Sequence, residues 1–383
     1  MGKKKILLFT DWYEPGYKAG GPIQSIKNFV QAAGDCFEIY IVTSDRDLGE
    51  KFPYSEMETG KWIRKNDQLM IYYLFPAKLT ISKILGLTGL IRPDLVYLNS
   101  MYSLRFTILP LLAFRMKNTG ARIILAPRGM LQEGAMHFKT QKKKFFIGLL
   151  KFMGIASKIH FHATDDQERM DVLHYFPANA GISVVPNFPK SSSGPFKTTL
   201  KEQGTVLCIF ISRIAPKKNL LYLLELLDAL PERINLRLDI YGESEDEAYF
   251  EKCRQVISKF PQHISVNFKG SVPNEEAHAV LEANHLFVLP TKGENFGHAI
   301  YESLLAGRPV LISDRTPWKG MQAKKAGWDI PLEKPVEFLK AIQEMAEFDQ
   351  QEFDDWCLHA WEYARQYRDS LTNLKEDYLK LFS

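Results

Sequence analysis

Residues 285–302 read His285-Leu286-Phe287-Val288-Leu289-Pro290-Thr291-Lys292-Gly293-Glu294-Asn295-Phe296-Gly297-His298-Ala299-Ile300-Tyr301-Glu302. The apolar run at 285–290 has the pattern of a buried strand, and from Gly297 the apolar positions take helical spacing until Gly307 ends it. Amides near Phe296, Gly297 and His298 then stand at a helix N-terminus, where unpaired donors suit a phosphate. Carboxylates such as Glu294 and Glu302 are poor phosphate ligands and good hydroxyl acceptors. A molecule carrying both sugar hydroxyls and phosphates satisfies the whole stretch. The plainer alternative makes Glu294 a first-turn carboxylate favoured by the helix dipole and Glu302 a solvated helix residue.

Outward from this unit, short β-rich runs alternate with helical segments, the pattern of an α/β protein. In the first half, strands are expected at residues 6–9, 37–42, 69–74, 95–98, 122–126, 159–162 and 182–185, with a helix at 23–33. The stretch Asn187-Phe188-Pro189-Lys190-Ser191-Ser192-Ser193-Gly194-Pro195 breaks the alternation with turn formers and reads as a domain linker. Alternation restarts with strands at 206–211, 235–241, 264–268 and 286–289 and helices at 219–230 and 246–260, a second parallel sheet wrapped by helices. Beyond about Pro335 the chain reads as helical, with Trp356, Trp361, Tyr363, Tyr378 and Phe382 as packing anchors. Boundaries follow at 1–188, 189–365 and 366–383, the last being a helix that returns to the N-terminal domain.

The length of 383 residues suits two cores better than one. With 45% hydrophobic and 25% charged residues the composition is that of a globular protein, and a net charge of +4 gives no case for nucleic acid. Four cysteines, Cys36, Cys208, Cys253 and Cys357, have no paired spacing, which argues against zinc or a disulfide framework and favours a reducing cytoplasm. The basic start Met1-Gly2-Lys3-Lys4-Lys5 precedes an apolar run broken by Thr10, Asp11 and Glu14, so no secretion segment is expected. No apolar stretch approaches the ~20 residues of a membrane span.

Three further loops carry candidate chemistry. The strand at 6–9 leads to Gly20-Gly21-Pro22 ahead of a helix, where paired glycines admit a diphosphate close to the backbone, although Gly-Gly-Pro is also a common turn. The strand ending at Ile211 is followed by Arg213-Ile214-Ala215-Pro216-Lys217-Lys218, cations at the edge where parallel sheets bind ligands. A forked guanidinium at Arg213 and an ammonium at Lys218 suit a departing diphosphate, although a basic strand-end loop is as often a solvated turn; Lys217 is expected to be exposed. Asp45-Arg46-Asp47 has the spacing of a metal-binding pair but reads as a solvated turn, and no metal is expected.

The spacing of Glu294 and Glu302, seven residues between them, together with Asn295-Phe296-Gly297-His298 and Gly307-Arg308-Pro309-Val310, resembles the signature of the retaining glycosyltransferases of family four. The resemblance implies the GT-B fold: an α/β protein of two Rossmann-like domains facing a central cleft, the first binding acceptor, the second a nucleotide sugar. It implies that Arg213 and Lys218 hold the donor diphosphate, that Glu294 touches the donor sugar and that Glu302 accepts from the ribose hydroxyls. Gly20 and Gly21 match the family's glycine-rich loop, Gly242 a point where the nucleotide approaches, and Val272 a backbone contact to the base. Closure of the domains is expected to bring the glycine loop over the phosphates.

On the acceptor side, Ala126-Pro127-Arg128-Gly129 resembles a loop in one branch of the family, and Arg128 and His137 are candidate acceptor or donor contacts. The basic run Lys139 to Lys144 leading into Phe145-Phe146-Ile147-Gly148-Leu149-Leu150 suits a solvated helix or the headgroups of an anionic membrane. Relatives carry histidines where this chain has Val96-Tyr97-Leu98-Asn99; Asn99 still bonds a sugar hydroxyl but moves no proton at neutral pH. Family chemistry needs no histidine base, because the leaving phosphate takes the acceptor proton on the same face. The expected activity is hexosyl transfer from a nucleotide-diphosphate sugar, UDP ahead of GDP, to a glycan or lipid-linked glycan in bacterial surface polysaccharide synthesis. No cofactor beyond the donor is expected, and the site of action is the cytoplasm or the inner membrane face. The alternatives are a non-catalytic nucleotide-sugar-binding protein and a GT-B sugar-nucleotide epimerase; a dehydrogenase is disfavoured because no Gly-x-Gly-x-x-Gly follows the first strand.

Overall fold

The computed structural model describes residues 2–55, 57–117, 119–136, 140–152, 154–176, 181–191 and 196–383. The chain forms two compact units, one of Met1–Phe188 with Asn373–Ser383 and one of Pro189–Thr372.

The first unit is built from β1 (Lys4–Phe9), α1 (Gly21–Ala33), β2 (Phe37–Ser44), β3 (Trp62–Arg64), β4 (Leu69–Leu74), α2 (Ile81–Ile91), β5 (Leu95–Leu98), α3 (Leu109–Met116), β6 (Arg122–Leu125), α4 (Glu133–Met136), α5 (Thr140–Phe152), β7 (Ile159–Ala163), α6 (Asp166–Tyr175) and β8 (Gly181–Val184). Its sheet has the order β3-β4-β2-β1-β5-β6-β7-β8, with every pairing parallel except β3 against β4. Leu7, Phe9, Val96 and Leu98 on the two middle strands are fully buried, as expected of strands covered on both faces. The strand order turns back between β1 and β5, so the loops after these strands diverge to open a crevice at the carboxyl edge. Gly20 and Asn99 lie on those loops, and Gly21 opens α1 directly after the first of them.

The second unit continues with β9 (Thr205–Ile211), α7 (Leu220–Leu227), β10 (Asn235–Tyr241), α8 (Glu247–Ile257), β11 (Ile264–Phe268), α9 (Asn274–Glu282), β12 (Leu286–Leu289), α10 (His298–Leu305), β13 (Val310–Ser313), β14 (Gly327–Ile330), α11 (Pro335–Glu347) and α12 (Gln350–Ser370). The sheet is wholly parallel, in the order β11-β10-β9-β12-β13-β14, and reverses between β9 and β12. Local chemistry places the helix ends. Asp349 and Glu352 form a capping box on α12, Asp246 caps α8, and Pro335 occupies the first turn of α11 where its missing N–H costs nothing.

The final helix, α13 (Leu374–Leu381), belongs to the first unit, where Tyr378 stacks on Phe29 of α1 at 5.3 Å and Phe382 meets Phe37 edge-on. The return to this unit comes after Thr372 rather than at residue 366, because α12 runs without a break to Ser370. The strands β3, β13 and β14 have no counterpart in the sequence reading. They are three or four residues long, and β14 includes Gly327 and Asp329, so no periodicity announces them. Among the described residues no helix is long and apolar enough to cross a membrane.

Candidate active site

In the second unit the loops that follow β9 and β12 meet at the reversal of strand order. The Lys217 carbonyl accepts the Lys292 amide at 2.8 Å and the Thr291 hydroxyl at 3.2 Å, so main chain fastens one loop to the other. This brings Lys218 Nζ to 2.5 Å from Glu294 Oε1, with only 15% and 11% of the two side chains exposed. Burial pushes the Glu294 carboxyl up, but Lys218 and Lys217, with hydrogen bonds from Lys218 and Thr291, outweigh it and hold the group below the ordinary glutamate range. Glu294 is therefore an anion and a hydrogen-bond acceptor at neutral pH.

The next residues set the start of α10. Gly297 takes φ 78° as the N-cap residue, and a Cβ there would stand 2.8 Å from Ile300 Cδ1, so glycine is required. The Phe296 carbonyl accepts Trp318 Nε1–H at 2.6 Å, and Phe296, Tyr301, Trp318 and Tyr367 pack ring against ring beneath the turn. The Glu294 amide is held by the Arg315 carbonyl at 3.1 Å. Asn295 and Glu302 are half-buried on the turn and the helix, while Phe296 and His298 are buried. The sequence places these residues near one another; the aromatic floor from α12 and the loop after β13 makes the turn rigid.

Arg213 lies in the loop after β9 and forms an ion pair with Glu245, which sequence reading missed because its partner is remote in the chain. A parallel bridge between Ile214 and Ser244 zips this loop to the one after β10, and the Gly242 amide donates to the Gly270 carbonyl at 2.8 Å, adding the loop after β11. Gly242 has φ 148°, and a Cβ would meet the Ser212 carbonyl at 2.0 Å, so only glycine lets the strand ends close up. Ser271 Oγ donates to Glu243 Oε1 at 2.7 Å, and half-buried Val272 follows on the same loop. Arg213, Lys218, Gly242, Val272, Glu294 and the 295–302 segment thus share the carboxyl edge of one sheet. Lys217, expected to be exposed, is half-buried. Arg308 of the family-like Gly-Arg-Pro-Val segment is a core residue, its guanidinium donating to the carbonyls of Glu282, Lys197 and Gly307.

In the first unit Arg128 is turned inward rather than presented to solvent. Its Nε donates to Asn99 Oδ1 at 2.7 Å, its Nη2 to Tyr97 Oη at 2.8 Å and its Nη1 to Asn187 Oδ1. Its backbone is left-handed, φ 55°, and the next amide, of Gly129, is gripped by buried Glu168 at 2.5 Å. Tyr97 Oη in turn meets His162 Nδ1 at 2.8 Å, and His162 Nε2 meets the Val185 carbonyl at 2.8 Å. Arg128 orients Asn99, whose Nδ2 is buried with no hydrogen-bond partner among the described residues. His137 lies outside the described residues. Asp45 and Asp47, read as a solvated turn, are buried at 4% and 6% exposure; Asp45 pairs with Arg46 and Asp47 accepts main-chain amides. Among the described residues no cluster of side chains has the make-up of a metal site.

Residues 195–351 match the family described as glycosyl transferases group 1. An uncharacterized glycosyltransferase of Methanocaldococcus jannaschii is 28% identical over 108 residues, a match that spans 28% of this chain and 27% of that relative. Anabaena HepE, crystallised with UDP and glucose, superposes with a TM-score of 0.69 at 14% identity, over 99% of each chain. Sucrose-phosphate synthase from Thermosynechococcus elongatus gives 0.72 at 14% identity, over 99% of this chain and 97% of that one. Residues 195–351 are a glycosyl transferases group 1 domain, and the chain that carries it has the GT-B fold.

Proposed function

We propose that the protein is a retaining hexosyltransferase that moves a hexosyl group from a UDP-sugar to a hydroxyl of a glycan or lipid-linked glycan. The observation that carries the reading is the meeting of Arg213, Lys218, Glu294 and the start of α10 at the strand-order reversal of the second unit. Two cations and a helix N-terminus suit a diphosphate, and the carboxylates of Glu294 and Glu302 suit the hydroxyls of hexose and ribose. The UDP and glucose bound by HepE support the same assignment here.

Catalysis in this reading is electrostatic. As the bond between the anomeric carbon and the phosphate oxygen breaks, negative charge grows on the diphosphate, and Arg213, Lys218 and the amides of the α10 turn stabilise it. The acceptor oxygen bonds to the anomeric carbon on the face the phosphate leaves, and its proton passes to the departing phosphate oxygen. No protein base is required, which agrees with Asn99 in place of histidine. Glu294, anionic and fixed by Lys218, orients the hexose.

The acceptor is proposed to be presented at an anionic membrane surface, in bacterial surface polysaccharide synthesis. On α5, Phe146, Ile147 and Leu150 face the core, while Phe145 and Phe152, two turns apart, are 74% and 90% exposed among exposed Lys142, Lys144 and Lys151. Aromatic rings at the interface with lysines beside them suit acyl chains below anionic headgroups.

A panel of UDP-glucose, UDP-galactose, UDP-N-acetylglucosamine and GDP-mannose tests the reading by thermal stabilisation and slow hydrolysis. We expect a uridine nucleotide to raise the melting temperature and its sugar to be released with the donor's anomeric configuration. Stabilisation without turnover favours a non-catalytic binding protein, inverted product excludes retention, and no response to any member refutes the donor site.

A further inference from the structure

We propose that Asp47 is the positioning residue of the Gly20–Gly21 loop, its carboxylate clasping the backbone that carries the glycine pair. This rests on the reading of Gly20 and Gly21 as donor contacts. Asp47 Oδ2 accepts the amides of Tyr17 at 2.8 Å and Lys18 at 3.1 Å, and Oδ1 accepts the amide of Leu48 at 2.8 Å. The Tyr17 carbonyl then accepts the Gly20 amide at 2.9 Å, and the Gly20 carbonyl accepts Ile23 and Gln24 of α1 at 3.0 and 3.2 Å. A continuous run of hydrogen bonds therefore leads from Asp47 to the glycine pair and the first turn of α1.

The clasp is built on both sides. Asp47 sits in a strap after β2 that is itself tied down, with the Asp45 amide on the Leu74 carbonyl at 3.0 Å and the Tyr54 amide on the Asp45 carbonyl at 2.8 Å. Lys18 pairs with Glu50 of the strap at 2.8 Å, and Tyr73 Oη donates to the Glu14 carbonyl at 2.5 Å. Gly16 lies against the clasp so closely that a Cβ would stand 3.0 Å from Asp47 Oδ1. Buried at 6% exposure, Asp47 presents its carboxylate to main-chain donors, and removing it strands those amides.

D47A and D47N test the inference by three measurements: UDP affinity by calorimetry, turnover of whichever sugar nucleotide of the panel the wild-type protein hydrolyses, and amide exchange. D47A is expected to leave UDP affinity within about threefold, because the second unit holds the nucleotide, and to cut turnover by about tenfold or more through lost positioning. Exchange at Tyr17, Lys18 and Leu48 should accelerate while β1 and β5 stay protected. D47N, which keeps one acceptor oxygen, should recover most of the turnover. Wild-type turnover in a variant whose Tyr17 and Lys18 amides are deprotected overturns the proposal, and so does protection unchanged in both variants; if D47A does not fold, D47L, which also removes both acceptor oxygens and keeps the side-chain volume, takes its place. Failure of the donor reading shows instead in the unsubstituted chain, as neither UDP binding nor hydrolysis, and it overturns this inference too.

Discussion

Lys218 Nζ stands 2.5 Å from Glu294 Oε1, joining the loop after β9 to the loop after β12 where the strand order of the second sheet reverses. The pair is both a structural tie and the centre of the proposed donor site. A diphosphate offers Lys218 a second anion, and the hexose hydroxyls offer Glu294 a second set of donors, so the pair exists before substrate and is ready for it.

Replacing Lys218 takes the ammonium partner from the buried Glu294 carboxylate and leaves it Thr291 and the charge of Lys217. K218A is expected to lower the stability of the second unit by about 3 kcal/mol, as seen when one member of a buried ion pair is removed. Chemical denaturation followed by the tryptophan signal measures this. A loss below about 1 kcal/mol contradicts the buried-pair account.

Arg213 and Glu302 should separate in their kinetics. R213A removes charge stabilisation that matters most in the transition state, so turnover should drop by about a hundredfold with UDP affinity little changed. E302A removes a proposed ribose acceptor and should weaken UDP binding by about tenfold with a smaller effect on kcat. Calorimetry and initial rates on the two variants decide, and matching wild-type values in both refute the assignment.

Acid should loosen the second unit through His285. Its Nδ1 accepts the Leu207 amide at 3.1 Å while Nε2 meets the Leu200 carbonyl at 2.9 Å, so the folded chain requires the neutral ring. Burial, with Lys201, Arg308 and Arg237 nearby, lowers its pKa from 6.5 to about 4 against a raising bond to the Leu200 carbonyl. Between those values the unfolded chain takes up a proton that the folded chain does not, so stability is full above the unfolded value and falls as pH drops toward the folded one. The loss is about 2 kcal/mol at about pH 5. His162 in the first unit, lowered to about 3 by burial and by Arg128, acts in the same direction. Thermal melts across this range, with H285Q flattening the slope, provide the check.

Phe145 and Phe152 should govern vesicle binding without affecting the fold. Each ring contributes about 2 kcal/mol when taken from water into the acyl region, so F145S/F152S should lose well over tenfold in affinity for phosphatidylserine-containing vesicles. Sedimentation at low salt measures it. Because the two rings are 74% and 90% exposed, the melting temperature should not move.

Local pattern carried much of this protein. The apolar runs at 69–74, 95–98 and 286–289 coincide with observed strands, because parallel strands buried on both faces need continuous apolar sequence, while the strands at 235–241 and 264–268 show instead by apolar residues alternating with polar ones. The turn from Glu294 to Glu302 was legible for the same reason: its parts are neighbours along the chain, and a glycine before a helix has one conformational meaning. The division between the two units, at Phe188 and Pro189, falls in the stretch of turn formers.

What depends on distant partners was not legible. Glu245 beside Arg213, Asp47 under the amides of residues 17 and 18, and Arg128 folded inward onto Asn99 and Tyr97 join the ends of neighbouring strands, β10 with β9, β2 with β1 and β6 with β5, and no local pattern says which side chains meet across a whole strand-helix-strand unit. By itself the sequence determined the longer strands, several helices and which residues stand at their ends, since these follow from hydrophobic period and turn chemistry over a few residues, while the short β3, β13 and β14 did not show. Only the tertiary structure decided which strand ends adjoin, and so which charges are paired, because the reversal between β9 and β12 is a property of the assembled sheet and of no single segment.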